Sequence, residues 1–275
     1  MKKVFLVAVL FSLSFVSCEE DFWDRNAAGL KEALTIGAKN ATNILGEEDG
    51  YLLGGDGITI PLPAEAQTAL NTLKSIQGVR SSIVDIPLIG SMVKDYIPDL
   101  SPNMDEIIFT AINRAAEDAA PQSVDIFVNA IKDMSISNAS SILFSDNNYA
   151  ATDYLRATTS SDLQTAFSPV IDDSLETVSV GDYTANSAWR LFAEQNNNLA
   201  NYLNSNSLVK NAVAMIVPAA ANINVVSETL GGYVVEKALD GLFKKVEGEE
   251  LKIRTDVNAR TSDLLQDVFG QLDNR

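Results

Sequence analysis

Ser101-Pro102-Asn103-Met104-Asp105-Glu106-Ile107-Ile108-Phe109-Thr110-Ala111-Ile112-Asn113-Arg114-Ala115 is the stretch that decides the fold class. Ser101 reads as a helix cap and Pro102 as the first helical residue, where a missing N–H costs nothing and the fixed φ is already helical. Asp105 and Glu106 place negative charge in the first turn, where the helix dipole favours it. Met104, Ile107, Ile108, Ala111, Ile112 and Ala115 then return at the three-and-four spacing of one helical face.

The same period runs outward in both directions. From Phe22 to Gly46 the apolar face is Leu30, Ala33, Leu34, Gly37, Ala38, Ala41, Ile44 and Leu45. Pro63 opens a helix over 64–77 with Leu70, Leu73 and Ile76 inward. Pro121 restarts one to about Met134, and shorter helices fit 138–145 and 148–158. Ser160 reads as the cap of another that carries Leu163, Phe167, Ile171 and Leu175 and is bent by Pro169. Residues 182–203 are amphipathic and end in Asn196-Asn197-Asn198. A long helix from about Glu228 to Arg254 and a last one over 257–269 follow. Residues 47–63 form a Gly-rich loop in which Ile58-Thr59-Ile60 alone alternates like a strand, too short to found a sheet. The segments 79–100 and 204–227 are the least regular. No period of 20–50 residues repeats. The expectation is an all-α chain, one multi-helix globular domain of roughly nine to eleven helices over 29–270, with a short tail at 271–275.

Composition removes whole classes of chemistry. The 275 residues include 20 Lys+Arg, 37 Asp+Glu, one Cys and no His. Without His there is no Ser-His-Asp or Cys-His catalysis and no imidazole metal ligand. One Cys forms no intrachain disulfide and no cysteine-based zinc or iron–sulfur site. A net charge of -17 argues against nucleic acid as a partner, because that binding displaces counterions with a basic surface. No motif calls for a cofactor or a metal.

The N-terminus reads as an address. Lys2 and Lys3 precede the apolar run Val4–Val16, and Ser17 precedes Cys18. A charged start, a short apolar core and a small residue describe a secretory signal. The run falls short of the roughly 20 residues that cross a bilayer. Leu13-Ser14-Phe15-Val16-Ser17-Cys18 resembles the lipobox of bacterial lipoproteins, with Phe15 where that pattern prefers Leu. The resemblance implies cleavage after residue 17, acylation of the Cys18 thiol and attachment to the cell envelope, at the outer membrane, facing periplasm or exterior. Residues 18–28 then form the anchor and the start of the first helix. Glu19, Glu20, Asp21 and Asp24 follow the thiol; they read either as an export tag or as acids favoured in a first helical turn.

A second resemblance spans about residues 29–270. Ile58-x-Ile60-Pro61-Leu62-Pro63, then Asn113-Arg114-Ala115-Ala116-Glu117 with Ala119-Ala120-Pro121, occur in order. Phe127, Ala130, Ile131 and Met134 lead to Ala150-Ala151-Thr152-x-Tyr154, Phe167-x-Pro169 and Tyr183. The densest part is Tyr233-Val234-x-x-Lys237-Ala238-Leu239-Asp240-Gly241-Leu242-Phe243, continuing through Glu249-Glu250, Ile253-Arg254 and Arg260-Thr261. This resembles the bacterial envelope proteins grouped as domain of unknown function 4197. It implies a helical, often lipid-anchored envelope protein and no particular reaction. The segments near 79–100 and 184–227 are longer than that pattern and are where partner or ligand preference would differ.

The residues name no reaction of their own. With 37 acids a carboxylate pair is guaranteed somewhere, so a carboxylate-based hydrolase is only a third reading. The candidate polar or ligand cluster comprises Arg114, Glu117, Lys237, Asp240, Glu250, Arg254 and Arg260, beside Cys18 as the lipidation site. Arg114 and Asp118 flank the apolar stripe of their helix, and Lys245 and Glu249 project onto the stripe of Val234, Ala238, Leu242 and Val246, where a charge must be paired or wet. The bland reading is ion pairs that fix helix register. Two functions stay open: a scaffold that docks another envelope protein, and a carrier that holds a lipid or small hydrophobic ligand in a helical pocket. Asn40 and Asn138 begin incidental Asn-x-Ser/Thr triplets.

Overall fold

The structure is a computed structural model that describes residues 16–137 and 139–273, with side chains from Asp24 onward. The leader as far as residue 15, the thiol of Cys18, Glu19 to Asp21 as side chains, and the triplet at Asn138 lie outside the described residues. Twelve α-helices occur among them: α1 (Val16–Leu45), α2 (Ala64–Gly78), α3 (Arg80–Val84), α4 (Ile89–Val93), α5 (Met104–Gln122), α6 (Val124–Asp133), α7 (Ala139–Leu143), α8 (Ala150–Thr177), α9 (Ala185–Ser205), α10 (Ser207–Ile216), α11 (Gly231–Thr255) and α12 (Asp263–Phe269). The all-α expectation holds; three helices of five residues take the number past eleven. No described helix is long and apolar enough to cross a membrane.

Contacts sort the chain into two compact units, each gathered from separated stretches. One unit takes residues up to Thr42, Val124–Leu163 and Phe243 onward; the other takes Asn43–Ser123 and Gln164–Leu242. Helices α8 and α11 therefore each contribute residues to both. In the first unit Leu30, Leu34 and Ala38 of α1, Phe127 and Ile131 of α6, Leu155 of α8 and Phe269 of α12 are buried. Phe127 meets Phe243 edge-on at 5.8 Å, an arrangement the ring quadrupoles favour. In the second unit Leu70 and Leu73 of α2, Ile108 and Ile112 of α5, Phe167 and Ile171 of α8 and Trp189 and Phe192 of α9 are buried.

The boundaries show where local chemistry overrode the sequence reading. Ser101 does not cap: its Oγ bonds Asn103 Oδ1, and α5 begins three residues later, at Met104. Nor does α5 stop before Pro121. The missing N–H falls in its last turn, and Ser123 then closes the end by donating both its N–H and its Oγ to Ala120 O. Ser160 caps nothing either. Thr158, Thr159 and Ser160 turn their hydroxyls onto the carbonyls of Tyr154, Leu155 and Arg156, so α8 runs unbroken where two helices were expected. The strand-like Ile58–Ile60 is no strand. The two-residue strands β1 (Ser179–Val180) and β2 (Tyr183–Thr184) form a hairpin elsewhere, turning at Gly181 with φ 61°. Thr184 and Ser187 then cap α9 reciprocally.

Candidate functional site

The candidate polar residues separate into three groups. Arg114 and Glu117 share α5 in the second unit and clamp the Gly-rich loop. Glu117 Oε1 accepts from the N–H groups of Tyr51 and Leu52, at 3.1 and 3.0 Å, and its Oε2 takes Arg114 Nη1 at 2.6 Å. Arg114 Nη2 reaches Asp49 at 2.7 Å, on a residue held at φ 69°. One turn earlier the Asn113 amide accepts from Ile60 N–H and donates to Ile60 O, both at 2.9 Å, replacing the ladder that Ile58–Ile60 would have needed from a partner strand. Tyr51 is fully buried and donates its hydroxyl to Ala238 O at 2.7 Å. Its ring occupies space that a Cβ at Gly241 would invade, at 2.8 Å. Burial, and then the charge of Glu117, push the phenol well above its ordinary value.

Glu250, Arg254 and Arg260 form the second group, in the first unit. Glu250 projects from α11 onto the start of α8 and accepts four bonds. These come from Ala151 N at 3.0 Å, Thr152 N at 2.7 Å, Thr152 Oγ1 at 2.7 Å and Arg254 Nε at 2.8 Å. A carboxylate from another helix thus does the work of an N-cap. Arg254 Nη1 and Nη2 donate to Leu143 O and Ile142 O, closing the end of α7. The pair joins a helix end to the next helix beginning, with both side chains 2% exposed. Arg260 closes α11 by donating to Ile253 O and Arg254 O, and its fork takes both oxygens of Asp273 at 2.7 Å. Those bonds hold the Asp273 carboxyl below its ordinary value. Glu249, next to Glu250 in sequence, accepts from Asn40 and pairs with Lys252.

Lys237 and Asp240 form the third group, on the second unit's surface. The Lys237 ammonium bonds Glu236 at 2.9 Å and Asp240 at 3.3 Å, and the Glu236 bond above all raises its pKa. The pairing expected of Arg114 with Asp118 is replaced: Asp118 accepts from Ser174 Oγ at 2.8 Å.

Each of these groups is engaged in hydrogen bonds or ion pairs: Glu250 accepts four, Glu117 three and Glu249 two. Among the described residues no three acidic side chains converge as metal ligands. The one buried side-chain atom without a partner there is Oδ1 of Asn196. Its neighbours explain the asparagine run. Asn196, Asn197 and Asn204 of α9 bond the backbone of Asn224, Val226 and Ile223, and Trp189 bonds Ser227 O, so that amides hold an extended segment no strand pairs with. Sequence reasoning saw that run only as a polar end.

Two open clefts flank the start of α2 in the second unit. One, of about 510 Å³, lies between Glu65, Thr68 and Thr72 of α2 and residues 222–226; the other, of about 400 Å³, lies among Leu62, Gln67, Asp105, Glu106 and Phe109.

The unit's most unusual surface is elsewhere. Helix α10 is apolar on both sides: Val209 and Val213 are buried, while Leu208 and Met215 stand 70% and 87% exposed. Against α10 packs α4, and against α4 packs α3. These carry exposed Met92 and Val84, and between them Leu88 stands 84% exposed with φ 67°, backbone that favours glycine. Tyr96 stacks on Tyr202 of α9 at 3.8 Å. The polar side of α10 is confined to Ser207, Lys210 and Asn211, and the remaining apolar arc is wider than its buried stripe.

No curated protein and no solved structure matches the chain. The family model described as protein of unknown function, DUF4197, matches residues 24–270, a span that takes in all three polar groups and the apolar surface. The chain belongs to that family.

Proposed function

We propose that this protein is an envelope component tethered by lipid at Cys18 and that its work is docking. A signal-like start and a lipobox-like run support the tether. The docking reading rests on one observation: of the eleven large apolar side chains exposed among the described residues, seven fall in the paired segments 84–96 and 208–216. Contiguous apolar exposure beyond a few hundred Å² marks interaction sites. The buried charges support it from the other side, since Glu250, Arg254 and Arg260 hold helix ends and Glu117 holds the Gly-rich loop.

A photo-crosslinking amino acid at Met215 in living cells, with one at exposed Asp256 as control, tests the docking reading. Crosslinks at 215 and not at 256 are expected; an equal pattern at both positions would remove it. Labelled palmitate entering the wild type but not Cys18→Ala tests the tether. The clefts beside α2 favour a second reading, carriage of a small hydrophobic ligand. Native mass spectrometry would support that reading by a co-purified lipid mass and count against it by its absence.

A further inference from the structure

We infer that the face built by α3, α4 and α10 rests on a zwitterionic lipid surface, as a membrane contact made by the folded body itself. This names the partner of the docking surface proposed above and rests on that reading.

Charge selects the occupant. The chain carries -17, yet between Glu194 and Glu228 its one charged residue is Lys210. Segment 79–100 adds Arg80 and Lys94 against Asp85, Asp95 and Asp99, so the combined face is neutral on a strongly acidic protein. A second copy would bring another body of -17 to within the roughly 10 Å over which charges act at 0.1 M salt. An anionic bilayer would repel in the same way, whereas a zwitterionic one brings no net charge.

Shape agrees with charge. The two clefts described above lie beside α2 and are not lined by this face. Its apolar groups stand out from it, Leu88 at a turn and Leu208 and Met215 seven residues apart on one side of α10. Hydrocarbon accepts such side chains in any orientation, while a protein partner would need a matching hollow for each. Around them lie uncharged Ser81, Ser82, Ser91, Ser207 and Asn211, and the Tyr96–Tyr202 pair, groups suited to the head-group level.

The test uses the full chain with Cys18→Ser, labelled with an environment-sensitive fluorophore through Leu208→Cys or Met215→Cys. Asp256→Cys carries the label in the control. Phosphatidylcholine vesicles containing brominated lipid are expected to quench labels at 208 and 215 but not at 256. Replacing a third of the lipid with phosphatidylglycerol should weaken the effect, and added salt should restore it, the reverse of binding through basic residues. With the label at 208, Met215→Asn should cut the partition about tenfold or more, since burying one such side chain is worth at least that factor. Equal quenching at all three positions, or none, would overturn the proposal. So would a dimer in sedimentation that Met215→Asn abolishes while vesicles leave the labels unquenched, since the face would then belong to a second copy. If vesicles fail but the in-cell crosslink at 215 captures a discrete protein, the bilayer is wrong and the docking reading survives; if both fail, both fall.

Discussion

Glu250→Gln is the sharpest perturbation available. The substitution keeps the shape and removes one charge, so nothing is lost to packing. The carboxylate accepts four bonds, two on each oxygen, and every donor is buried or nearly so. A glutamine must turn its NH₂ toward one of those two pairs of donors, which leaves at least two bonds facing the wrong way. It also strands the Arg254 guanidinium, 2% exposed, without a counter-charge. Breaking a buried pair in this way costs about 3–5 kcal/mol, a large fraction of the roughly 5–15 kcal/mol that holds a domain folded. Arg254→Met should cost a similar amount, because it frees the carbonyls of Ile142 and Leu143 as well. The double variant should cost less than the two together by about 1–3 kcal/mol, the coupling expected of groups in one network. Urea unfolding followed by helical circular dichroism, with unchanged m, measures all three. A loss below about 1 kcal/mol for Glu250→Gln, or strict additivity, would refute the structural assignment. A gain in stability would go further and mark a strained functional group.

Four other substitutions probe the second unit and α11. Gly241→Ala places a methyl 2.8 Å from a Tyr51 ring that its own hydroxyl bond pins, and should cost about 2 kcal/mol; Gly248→Ala, with open space around it, should gain about 0.5–1 kcal/mol, both read as shifts in the urea midpoint. Because the Tyr51 phenol is raised, its contribution to stability is complete below its ordinary 10.0 and is lost as pH climbs above that, and Tyr51→Phe should weaken the alkaline loss in melting temperature. Burial works to raise Asp105, but Lys74 at 2.6 Å, together with the backbone N–H groups of Glu106 and Asp105, outweighs it and holds the carboxyl below 3.8, so the stabilisation is present above that value and lost as pH falls through the depressed one. Asp105→Asn should therefore melt lower than wild type at pH 6, by an equivalent of under about 1 kcal/mol for so exposed a pair, with the gap closing toward pH 2.

Most of the helices were legible because the apolar period survives in each: Leu70, Leu73 and Ile76 are buried in α2, as their spacing demands. What misled was side-chain chemistry with two local outcomes. Ser160 suits a cap as well as a back-bond to Arg156, and only the continuity of Leu155, Leu163 and Phe167 on one buried face selects the second. Ile58–Ile60 alternates like a strand, but its partner is the amide of Asn113, fifty-three residues away, and no local pattern encodes that. The structure buries Glu117, Glu250, Arg254 and Arg260 and leaves Lys237 and Asp240 at the surface, and their grouping depends on tertiary placement: the three-residue spacing of Arg114 and Glu117 permits a pair, whereas no spacing encodes the bonds of Glu250 to Ala151 and Thr152. The apolar face left no clear signal either. Val209 and Val213 look like an ordinary core stripe, and Leu208 and Met215 are distinguishable from it only once the other side of α10 is seen to be bare.

Hydrogen exchange on the mature chain, compared between native envelope membranes and membrane-free solution, reaches the central claim most directly. Slowed exchange confined to residues 84–96 and 207–216, with the loop at 47–60 and the α7–α8 junction unchanged, is the expected result. Slowing at that loop or that junction, with the α4–α10 face unaffected, would contradict it and return function to the buried charges.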